Sequence, residues 1–299
     1  MQQLRNLTYG IVGLGLMGGS IAKSIRENIL SSGDVAGKIY ASTRNKAALE
    51  AAKNEHVLDD YYTLDRVDEM LSLCDFVFVC FYPHMTVDFL AEHKNSFKKG
   101  SVVTDINGVK AEIFDRIKEI ESDNFDFIPG HPMAGGEKEG YASSNAAFFK
   151  NHNYILMPLE SNKASNVELF KLLITEMGFT QIVETDGRVH DHKIAFTSQL
   201  CHVIASALVN SAEDAKVTQF GGGSFEDLTR IAMINAPLWT ELFLANKKEL
   251  IAHIEKFEKS LECLKNLIQN DKAEETKEYL ENVRVKRIEM SRNDVKVEK

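Results

Sequence analysis

One short segment near the start of the chain restricts its fold more than any other feature. Residues 13–18 read Gly-Leu-Gly-Leu-Met-Gly, a G-x-G-x-x-G pattern. The pattern directly follows the apolar run Tyr9–Val12 and opens an amphipathic stretch from Gly19 to about Ile29. In such a strand–turn–helix unit, the first glycine permits a tight turn, the second lets a pyrophosphate approach the backbone, and the third lets helix and strand pack closely. The segment predicts a dinucleotide-binding unit whose helix N-terminus attracts the negative charge.

The first 186 residues alternate short apolar runs with helical patterns. The spacing predicts helices over Asn45–Asn54 and Asn166–Met177. Further strands are predicted at Lys38–Thr43, Asp75–Phe81, Val102–Thr104, Phe125–Ile128, Asn153–Met157 and Gln181–Glu184. Strands that alternate with helices are typical of βαβ units, so we predict an α/β fold with a doubly wound, mainly parallel Rossmann-type sheet.

The pattern changes near Asp186, after which the chain is almost wholly helical. Helical patterns cover His190–Asn210, Glu226–Ile234, Pro237–Ile268 and Ala273–Met290. We therefore predict a dinucleotide-binding domain over 1–186, an all-α domain for substrate and dimerisation over 187–290, and a polar tail that frays over 291–299. Long apolar helix faces in a small second domain are often buried against another subunit, which predicts a homodimer through the helical domain.

Charge and composition exclude several classes of protein. The 299 residues include 35 Lys+Arg and 44 Asp+Glu, for a formal net charge of −9. An acidic surface repels phosphate backbones, so nucleic acid is not an expected partner. An anionic substrate must instead be held by a few local cations. No apolar run reaches the roughly 18–20 residues of a membrane span, and Met1–Thr8 has no signal-peptide core, so we expect no membrane partner.

The four cysteines, Cys74, Cys80, Cys201 and Cys263, form no C-x-x-C pair and lie in apolar stretches. We predict that they are reduced packing residues of a cytoplasmic protein and that the chain has no metal site.

The end of the second predicted strand bears on the choice of dinucleotide. NAD sites usually place an acidic residue there to hold the ribose 2′-hydroxyl, but residues 41–45 read Ala-Ser-Thr-Arg-Asn. Hydroxyls and a guanidinium suit a 2′-phosphate, so we predict NADP over NAD, with NAD possible; the alternative is that Arg44 is a solvated residue of the next helix. The predicted cofactor-binding residues are Gly13, Gly15, Leu16, Met17, Gly18, Ser42, Thr43 and Arg44.

A histidine on a constrained loop is the candidate proton acceptor. Residues 129–140 read Pro-Gly-His-Pro-Met-Ala-Gly-Gly-Glu-Lys-Glu-Gly and follow a predicted strand. Ligands bind at the carboxyl ends of strands in open α/β sheets, and histidine exchanges protons near neutral pH. His131 is therefore predicted to be functional.

At this point the sequence strongly resembles the prephenate dehydrogenase family, which includes arogenate dehydrogenases. The resemblance covers roughly residues 8–268. Its markers are G-L-G-L-M-G-G-S at 13–20, H-P-M-A-G-x-E-x-x-G at 131–140, H-D at 190–191 followed by Ser198 and His202, and D-L-T-R-I-A at 227–232 followed by Pro-Leu-Trp at 237–239. The resemblance implies an NAD(P)-dependent oxidative decarboxylation of prephenate to 4-hydroxyphenylpyruvate in tyrosine biosynthesis, with arogenate as the alternative substrate.

The same resemblance assigns roles to individual residues. His131 becomes the acceptor of the ring hydroxyl proton, and Arg230 the residue that pairs with a substrate carboxylate, unless it pairs with an acid on its own helix. His202 matches a second histidine near the substrate, although it could equally be a core histidine. Glu137 resembles an acid in an ionic network over the site. Trp239, the single tryptophan, is expected to pack between helices.

Two departures from the family pattern lie on the substrate side. Gly108 stands where members commonly have a serine that helps to hold the ring hydroxyl, so Asn107 or a water would have to supply that hydrogen bond. Gln199 replaces the first histidine of the usual S-H-L-P-H. We include Asn107, Gly108 and Gln199 among the predicted substrate-binding residues.

Two more distant readings stay open at this stage. A β-hydroxyacid or 6-phosphogluconate-type dehydrogenase also combines such a fingerprint with a helical domain, but it would use a lysine, for which Lys193 is the candidate. A catalytically silent NADP-binding sensor is suggested by Gly108 and Gln199, but it leaves His131 and Arg230 without a purpose.

Overall fold

The computed structural model describes residues 1–31, 35–136 and 138–295. Contacts between residues divide the chain into two compact units, 1–247 and 248–299. The helical residues up to Lys247 therefore group with the sheet-containing part of the chain. The change of character predicted at 186 falls between the last strand, which ends at Glu184, and a helix that begins at Gly187.

The main sheet has six parallel strands in the order β3-β2-β1-β4-β5-β6. The strands are β1 (Thr8–Val12), β2 (Lys38–Ser42), β3 (Asp60–Tyr62), β4 (Phe76–Val79), β5 (Ser101–Asp105) and β6 (Phe125–Phe127). The strand order reverses between β1 and β4, which opens a crevice at their carboxyl ends. The predicted doubly wound α/β fold is confirmed; β3 was missed because its residues, Asp-Tyr-Tyr, show no apolar alternation.

Helices cover both faces of this sheet. Successive side chains of a strand point to opposite faces, and here both directions lead into a core. Ile11 and Phe76 belong to one buried cluster, whereas their neighbours Val12 and Val77 belong to the other. This double burial explains the continuous apolar runs in the sequence.

A second, three-stranded sheet follows the first. It consists of β7 (Gly130–Pro132), β8 (Asn153–Leu156) and β9 (Gln181–Glu184). Strand β7 is antiparallel to β8, which is parallel to β9. The sequence pattern predicts that β8 and β9 continue the main parallel sheet, but they form a separate sheet with β7. The main ladder instead ends with the bond from Ile128 N to Val103 O at 2.9 Å, because the next N–H that faces β5, that of Gly130, bonds to the Asp105 side chain at 3.3 Å.

The helices of the first unit connect these strands and then form an α-helical segment. They are α1 (Gln2–Arg5), α2 (Leu16–Asn28), α3 (Lys46–Asn54), α4 (Val67–Leu71), α5 (Pro83–His93), α6 (Ala111–Asp115), α7 (Ile117–Ile120), α8 (Ala164–Glu176), α9 (Gly187–Ile194), α10 (Leu200–Asn210), α11 (Gly223–Thr229) and α12 (Ala236–Ala245). A π-helical turn, Ala195–Gln199, joins α9 to α10, so the single helix predicted over His190–Asn210 contains a wider turn in its middle.

The second unit consists of most of α13 (Lys247–Gln269) and of α14 (Ala273–Val295). Helix α14 runs beyond Met290, where the sequence pattern placed its end, so the first five residues of the predicted polar tail are helical. Residues 296–299 lie outside the described part of the chain. Among the helices that are described, none is both long and apolar enough to cross a membrane.

The four cysteines are all unpaired, but only some of them are packing residues. Cys74 is buried and Cys80 is partly buried, whereas Cys201 and Cys263 are exposed. The prediction that all four pack in apolar surroundings is therefore wrong for Cys201 and Cys263, which lie on outward faces of α10 and α13.

Candidate active site

The glycine fingerprint forms the turn between β1 and α2 in the crevice of the main sheet. Gly13 has a φ of 93°, a conformation that L side chains rarely adopt, and its N–H bonds to Ser42 O at 2.8 Å. A Cβ on Gly18 would lie 2.0 Å from Gly13 O, so only glycine allows this approach of helix to strand. Gly15, at the N-terminus of α2, has nothing within 4 Å of the corresponding position. This open space beside a helix N-terminus fits a pyrophosphate.

The loop after β2 holds the residues predicted for the 2′-phosphate. Ser42 is fully buried and its Oγ has no hydrogen-bond partner among the described residues. Ser42 stays a prediction as a contact of the 2′-phosphate. Thr43 is half-buried and Arg44 is exposed at the carboxyl end of β2. Asn45 caps α3 by accepting from Ala48 N at 3.2 Å, so the side chains of Thr43 and Arg44 are not needed for capping.

The loop that follows His131 returns to the fingerprint. Leu16 and Met17 are both half-buried in the first turn of α2. A Cβ on Gly136 would lie 3.6 Å from Leu16 Cδ2. The H-P-M-A-G-G segment and the cofactor turn are thus neighbours. Glu137, the next residue and a predicted member of the site, lies outside the described residues.

His131 lies in β7 and is held on one side by a second histidine. His131 Nδ1 is 2.9 Å from His190 Nε2, and the two rings are nearly perpendicular, with an interplanar angle of 74°. His190 Nδ1 is in turn 2.7 Å from Asp191 Oδ1. A buried chain therefore runs from a carboxylate through two imidazoles to the predicted acceptor.

The carboxylate at the end of this chain is fixed by backbone donors. Asp191 accepts from Lys110 N at 2.9 Å and from Ala111 N at 2.8 Å, at the start of α6. Lys110 is fully buried; its Nζ pairs with Asp105 and donates to Gly130 O at 2.6 Å. The same lysine thus contacts the backbone next to His131 and the carboxylate next to His190.

The surroundings keep His131 uncharged. Burial, the neighbouring His190 and the Lys110 cation hold the pKa of His131 well below its ordinary value of 6.5. Burial also lowers the pKa of His190, against the opposing effect of its hydrogen bond to Asp191. A neutral imidazole with one nitrogen engaged has its other nitrogen available as a proton acceptor.

The other ring nitrogen of His131 faces Gly108. A Cβ built on Gly108 would lie 3.6 Å from His131 Nε2 and 3.7 Å from Leu242 Cδ2 of α12, both ordinary van der Waals contacts. The position of the missing serine is therefore beside Nε2, with room for a small side chain. Asn107 is buried, donates its N–H to Asp105 Oδ2 at 2.9 Å, and has no partner for Nδ2 among the described residues.

The Gln199 side chain makes contacts within the protein and not the predicted contact with substrate. It is buried, its Nε2 donates to Leu242 O at 2.7 Å, and its Oε1 accepts from Asn246 Nδ2 at 2.8 Å. Asn246 Nδ2 also donates to Asp191 O at 2.9 Å. Because the Gln199 amide is engaged at both ends, it ties α12 to the π-helical turn and is not a direct substrate contact. The prediction that Gln199 binds substrate is corrected accordingly.

Helix α12 connects the predicted substrate residues to this centre. Trp239, one turn before Leu242, stacks on His202 with ring centroids 3.6 Å apart. His202 Nδ1 lies 3.0 Å from Ser198 O, the carbonyl one turn earlier. Arg230 is exposed and opens a 3₁₀ turn, Arg230–Ala232, that packs on α10. The structure thus brings Gly108 to Leu242 and His202 to Trp239, which lie one turn apart on α12.

Sequence reasoning missed the roles of His190, Asp191, Lys110 and Asp105. The H-D pair at 190–191 stood out as a family marker, but nothing in its spacing showed that it reaches His131, which is 59 residues earlier. Lys110 was unremarkable as a lysine in a loop; only the fold shows that it is buried.

Comparison with known proteins identifies the family to which the chain belongs. The chain matches the family model of the prephenate dehydrogenase nucleotide-binding domain over residues 21–183 and that of the prephenate dehydrogenase dimerization domain over 186–282. It is 27% identical to the prephenate dehydrogenase of Bacillus subtilis over 288 residues, which cover 93% of this chain and 74% of that protein. It is 30% identical to the prephenate dehydrogenase of Lactococcus lactis over 259 residues, covering 84% and 68% respectively.

A solved structure resembles the whole fold. Prephenate dehydrogenase from Aquifex aeolicus, in complex with hydroxyphenyl propionate and NAD+, superposes with a TM-score of 0.83 at 30% identity and covers 95% of this chain and 98% of its own. Since the two family models together span most of the sequence, the chain belongs to the prephenate dehydrogenase family.

Proposed function

We propose that this chain catalyses the oxidative decarboxylation of prephenate to 4-hydroxyphenylpyruvate, a reaction of tyrosine biosynthesis, with His131 as the proton acceptor. The observation that carries the proposal is the position of His131. Its Nδ1 is engaged by His190 at 2.9 Å, and its Nε2 faces the small residue Gly108 beside the cofactor crevice. A ring hydroxyl placed between Gly108 and His131 would meet an unprotonated nitrogen.

The proposed reaction consists of hydride transfer, proton transfer and decarboxylation. A nicotinamide cofactor held at the Gly13–Gly18 turn would supply the acceptor for the hydride that leaves C4 of the ring. His131 Nε2 takes the hydroxyl proton as the C4–O bond becomes a carbonyl. The bond from C1 to the carboxylate then breaks, its electron pair enters the ring, and carbon dioxide leaves. The C4 oxygen becomes a phenolate, to which His131 returns the proton. Aromatisation of the ring drives the reaction, so the protein mainly needs to position the substrate and to supply one proton acceptor.

The net charge of the chain is −9, so individual cationic side chains must bind the substrate carboxylates. We propose that Arg230 binds a carboxylate, because a guanidinium can make two parallel hydrogen bonds to it. His202 of α10, which stacks on Trp239 of α12, is the second proposed contact. Asn107 precedes Gly108, and its buried Nδ2 has no partner within the described part of the chain, so it is the proposed donor that takes over from the missing serine. Glu137, which lies outside the described residues, keeps its proposed role in an ionic network over the site.

NADP is the proposed preferred cofactor, with NAD as the alternative. No acidic residue stands at the end of β2, where it would repel a 2′-phosphate. Thr43 and Arg44 follow the end of β2 and reach the surface. Because Asn45 caps α3, the side chains of Thr43 and Arg44 are available to a 2′-phosphate. Gly13, Gly15, Leu16, Met17 and Gly18 line the proposed pyrophosphate site.

A homodimer through the helical residues is the proposed assembly. Large apolar side chains are exposed along this segment of the first unit, among them Phe196, Phe220, Leu228, Met233 and Leu244. Phe220 is 91% exposed, which is unusual for phenylalanine in a monomer. The matching family model is described as a dimerization domain. Light scattering coupled to size exclusion should give twice the chain mass of 33.6 kDa; a monomer mass would refute this assembly.

We place this activity in the cytoplasm. All four cysteines are unpaired, as is usual where thiols are kept reduced.

The decisive experiment offers prephenate and arogenate separately, each with NAD and with NADP, and follows the absorbance of the reduced cofactor. We expect turnover of prephenate, and faster turnover with NADP. His131→Asn should lower kcat by about 10²–10⁴-fold, the usual contribution of a positioned acid or base. If neither prephenate nor arogenate is turned over, the proposed function is refuted. A larger kcat/KM for arogenate than for prephenate would show that arogenate is the preferred substrate.

A further inference from the structure

The buried chain from Asp191 through His190 to His131 is longer than a single proton acceptor needs. Burying two imidazoles and a carboxylate is costly unless their hydrogen bonds are satisfied. His190 is 1% exposed and Asp191 is 5% exposed, so neither touches solvent to any extent. We therefore expect the buried His190 and Asp191 to affect the properties of His131, the residue at the other end of the hydrogen-bonded chain.

The hydrogen positions follow from counting donors and acceptors. The Asp191 carboxylate can only accept, and both of its oxygens already take backbone N–H groups, from Lys110 and Ala111. His190 Nδ1, at 2.7 Å from Oδ1, must therefore carry its hydrogen. Neutral His190 then has a lone pair on Nε2, which accepts from His131 Nδ1–H at 2.9 Å. His131 is left with its lone pair on Nε2, the nitrogen that faces Gly108.

We propose that His190 and Asp191 are positioning residues that fix His131 in its Nδ1-protonated tautomer and stabilise the imidazolium that forms when Nε2 takes the substrate proton. This inference rests on the proposed function, because it assigns a purpose to Nε2 in that reaction. The logic is that of an aspartate that orients a catalytic histidine, extended by one more imidazole.

Lys110 and Asp105 complete the charged surroundings of His131. Lys110 Nζ pairs with Asp105 and holds Gly130 O, while Gly130 N lies 3.3 Å from Asp105 Oδ1. Within residues 1–31, 35–136 and 138–295, the charged groups that act on the two imidazoles are Lys110, Asp105 and Asp191. The lysine cation opposes premature protonation of His131, and the Asp191 charge reaches it only through His190. This balance agrees with the lowered pKa of His131.

Asp191→Asn tests the orientation directly. The asparagine oxygen is needed by the N–H groups of Lys110 and Ala111, so its NH₂ would face His190 Nδ1. His190 would then carry its hydrogen on Nε2 and donate to His131 Nδ1, which moves the His131 hydrogen to Nε2. With the acceptor blocked, kcat should fall by about 10²–10⁴-fold, while KM for prephenate changes by less than about threefold. An unchanged kcat in a folded Asp191→Asn variant would overturn the proposal.

A pair of variants at His190 separates orientation from packing. His190→Gln places an amide oxygen near the position of Nε2, where it can accept from His131 Nδ1–H. His190→Leu fills similar space without an acceptor. We expect the glutamine variant to keep at least about tenfold more kcat than the leucine variant, the value of one hydrogen bond of about 1.4 kcal/mol. Equal losses in both variants would indicate a packing role and refute the proposal.

The tautomer itself can be read in the wild-type protein, and a variant is needed only to assign the signals. Long-range ¹H–¹⁵N spectra of the full-length protein labelled with ¹⁵N-histidine distinguish Nδ1–H from Nε2–H, and a spectrum of His131→Asn identifies the His131 signals. We expect Nδ1–H for His131 in the wild type. A wild-type Nε2–H tautomer would refute the inference even if prephenate is oxidised, whereas an inactive enzyme with the Nδ1–H tautomer would refute the proposed reaction alone.

Discussion

The Cβ position of Gly108 lies 3.6 Å from Nε2 of His131, so the residue that departs from the family pattern directly faces the proposed proton acceptor. A serine hydroxyl there would fit without displacing backbone. We therefore expect Gly108→Ser to fold normally and to lower KM for prephenate about twofold to tenfold, the value of one neutral hydrogen bond of about 0.5–1.5 kcal/mol. Steady-state kinetics measure this. Gly108→Ala adds the same Cβ without the hydroxyl, and an equal gain in both variants would contradict the explanation.

The pH dependence should report the neutral form of His131. Its folded pKa is well below 6.5, so the acceptor stays unprotonated as the pH falls through 6.5 and is lost only below its own lowered pKa. We expect the acid limb of kcat/KM for prephenate to have its midpoint below pH 6.5. An acid limb at or above pH 6.5 would show that burial and Lys110 do not act as described.

Arg44 should govern the choice of cofactor. Hydrogen bonds to a charged group contribute about 1.5–3 kcal/mol, so Arg44→Ala should raise KM for NADP by about tenfold to a hundredfold and leave KM for NAD nearly unchanged. Lys46→Ala removes a cation from the first turn of α3, two residues away and with a side chain that is 71% exposed, and serves as the control. If Lys46→Ala has the same effect, general electrostatic attraction accounts for the preference and Arg44 does not.

Substrate binding should depend on Arg230. Its loss removes a bidentate partner of a carboxylate in both the ground state and the transition state, so Arg230→Ala should raise KM for prephenate about tenfold to a hundredfold and change kcat far less. Arg188→Ala, another exposed arginine of the helical segment, should leave both parameters near wild type. A loss confined to kcat would place Arg230 away from the substrate carboxylates.

Lys110 should be required for stability. It is fully buried, and without it Asp105 would remain as an unpaired buried charge, which typically costs about 3–5 kcal/mol. We expect Lys110→Met to lower the free energy of unfolding in urea by that amount. Lys98 pairs with Asp75 at 2.6 Å with a side chain that is 44% exposed, so Lys98→Met should cost less than about 1 kcal/mol. Similar costs for the two variants would contradict this view of the buried pair.

Local patterns in the sequence were enough to predict the main features of the fold. The fingerprint at Gly13–Gly18 and the runs of β1 and β4 carry their periodicity in neighbouring residues, so strand, turn and helix could be assigned without tertiary information. Strand β7 could not, because three residues that include a proline show no period. Its pairing with β8 is decided by where the chain leaves the main sheet.

Site residues could be predicted only where the residue type and its immediate neighbours in the sequence indicate a function. His131 lies between Gly130 and Pro132, which marks a constrained functional loop. Gln199 looked like a substrate contact because it stands where the family has a histidine. Its actual partners, Leu242 O of α12 and Asn246 directly after that helix, lie more than 40 residues later, and no local pattern shows such a contact. Long-range partners of this kind are what the fold adds.

The wide turn at Ala195–Gln199 has a geometric consequence for everything after it. An α-helix advances about 100° around its axis with each residue, and a π turn absorbs one extra residue at a single point. If the backbone ran at regular pitch through this segment, the faces of α10 would be rotated by about that angle relative to α9. The ring of His202 would then point away from Trp239, even though no side chain had been replaced.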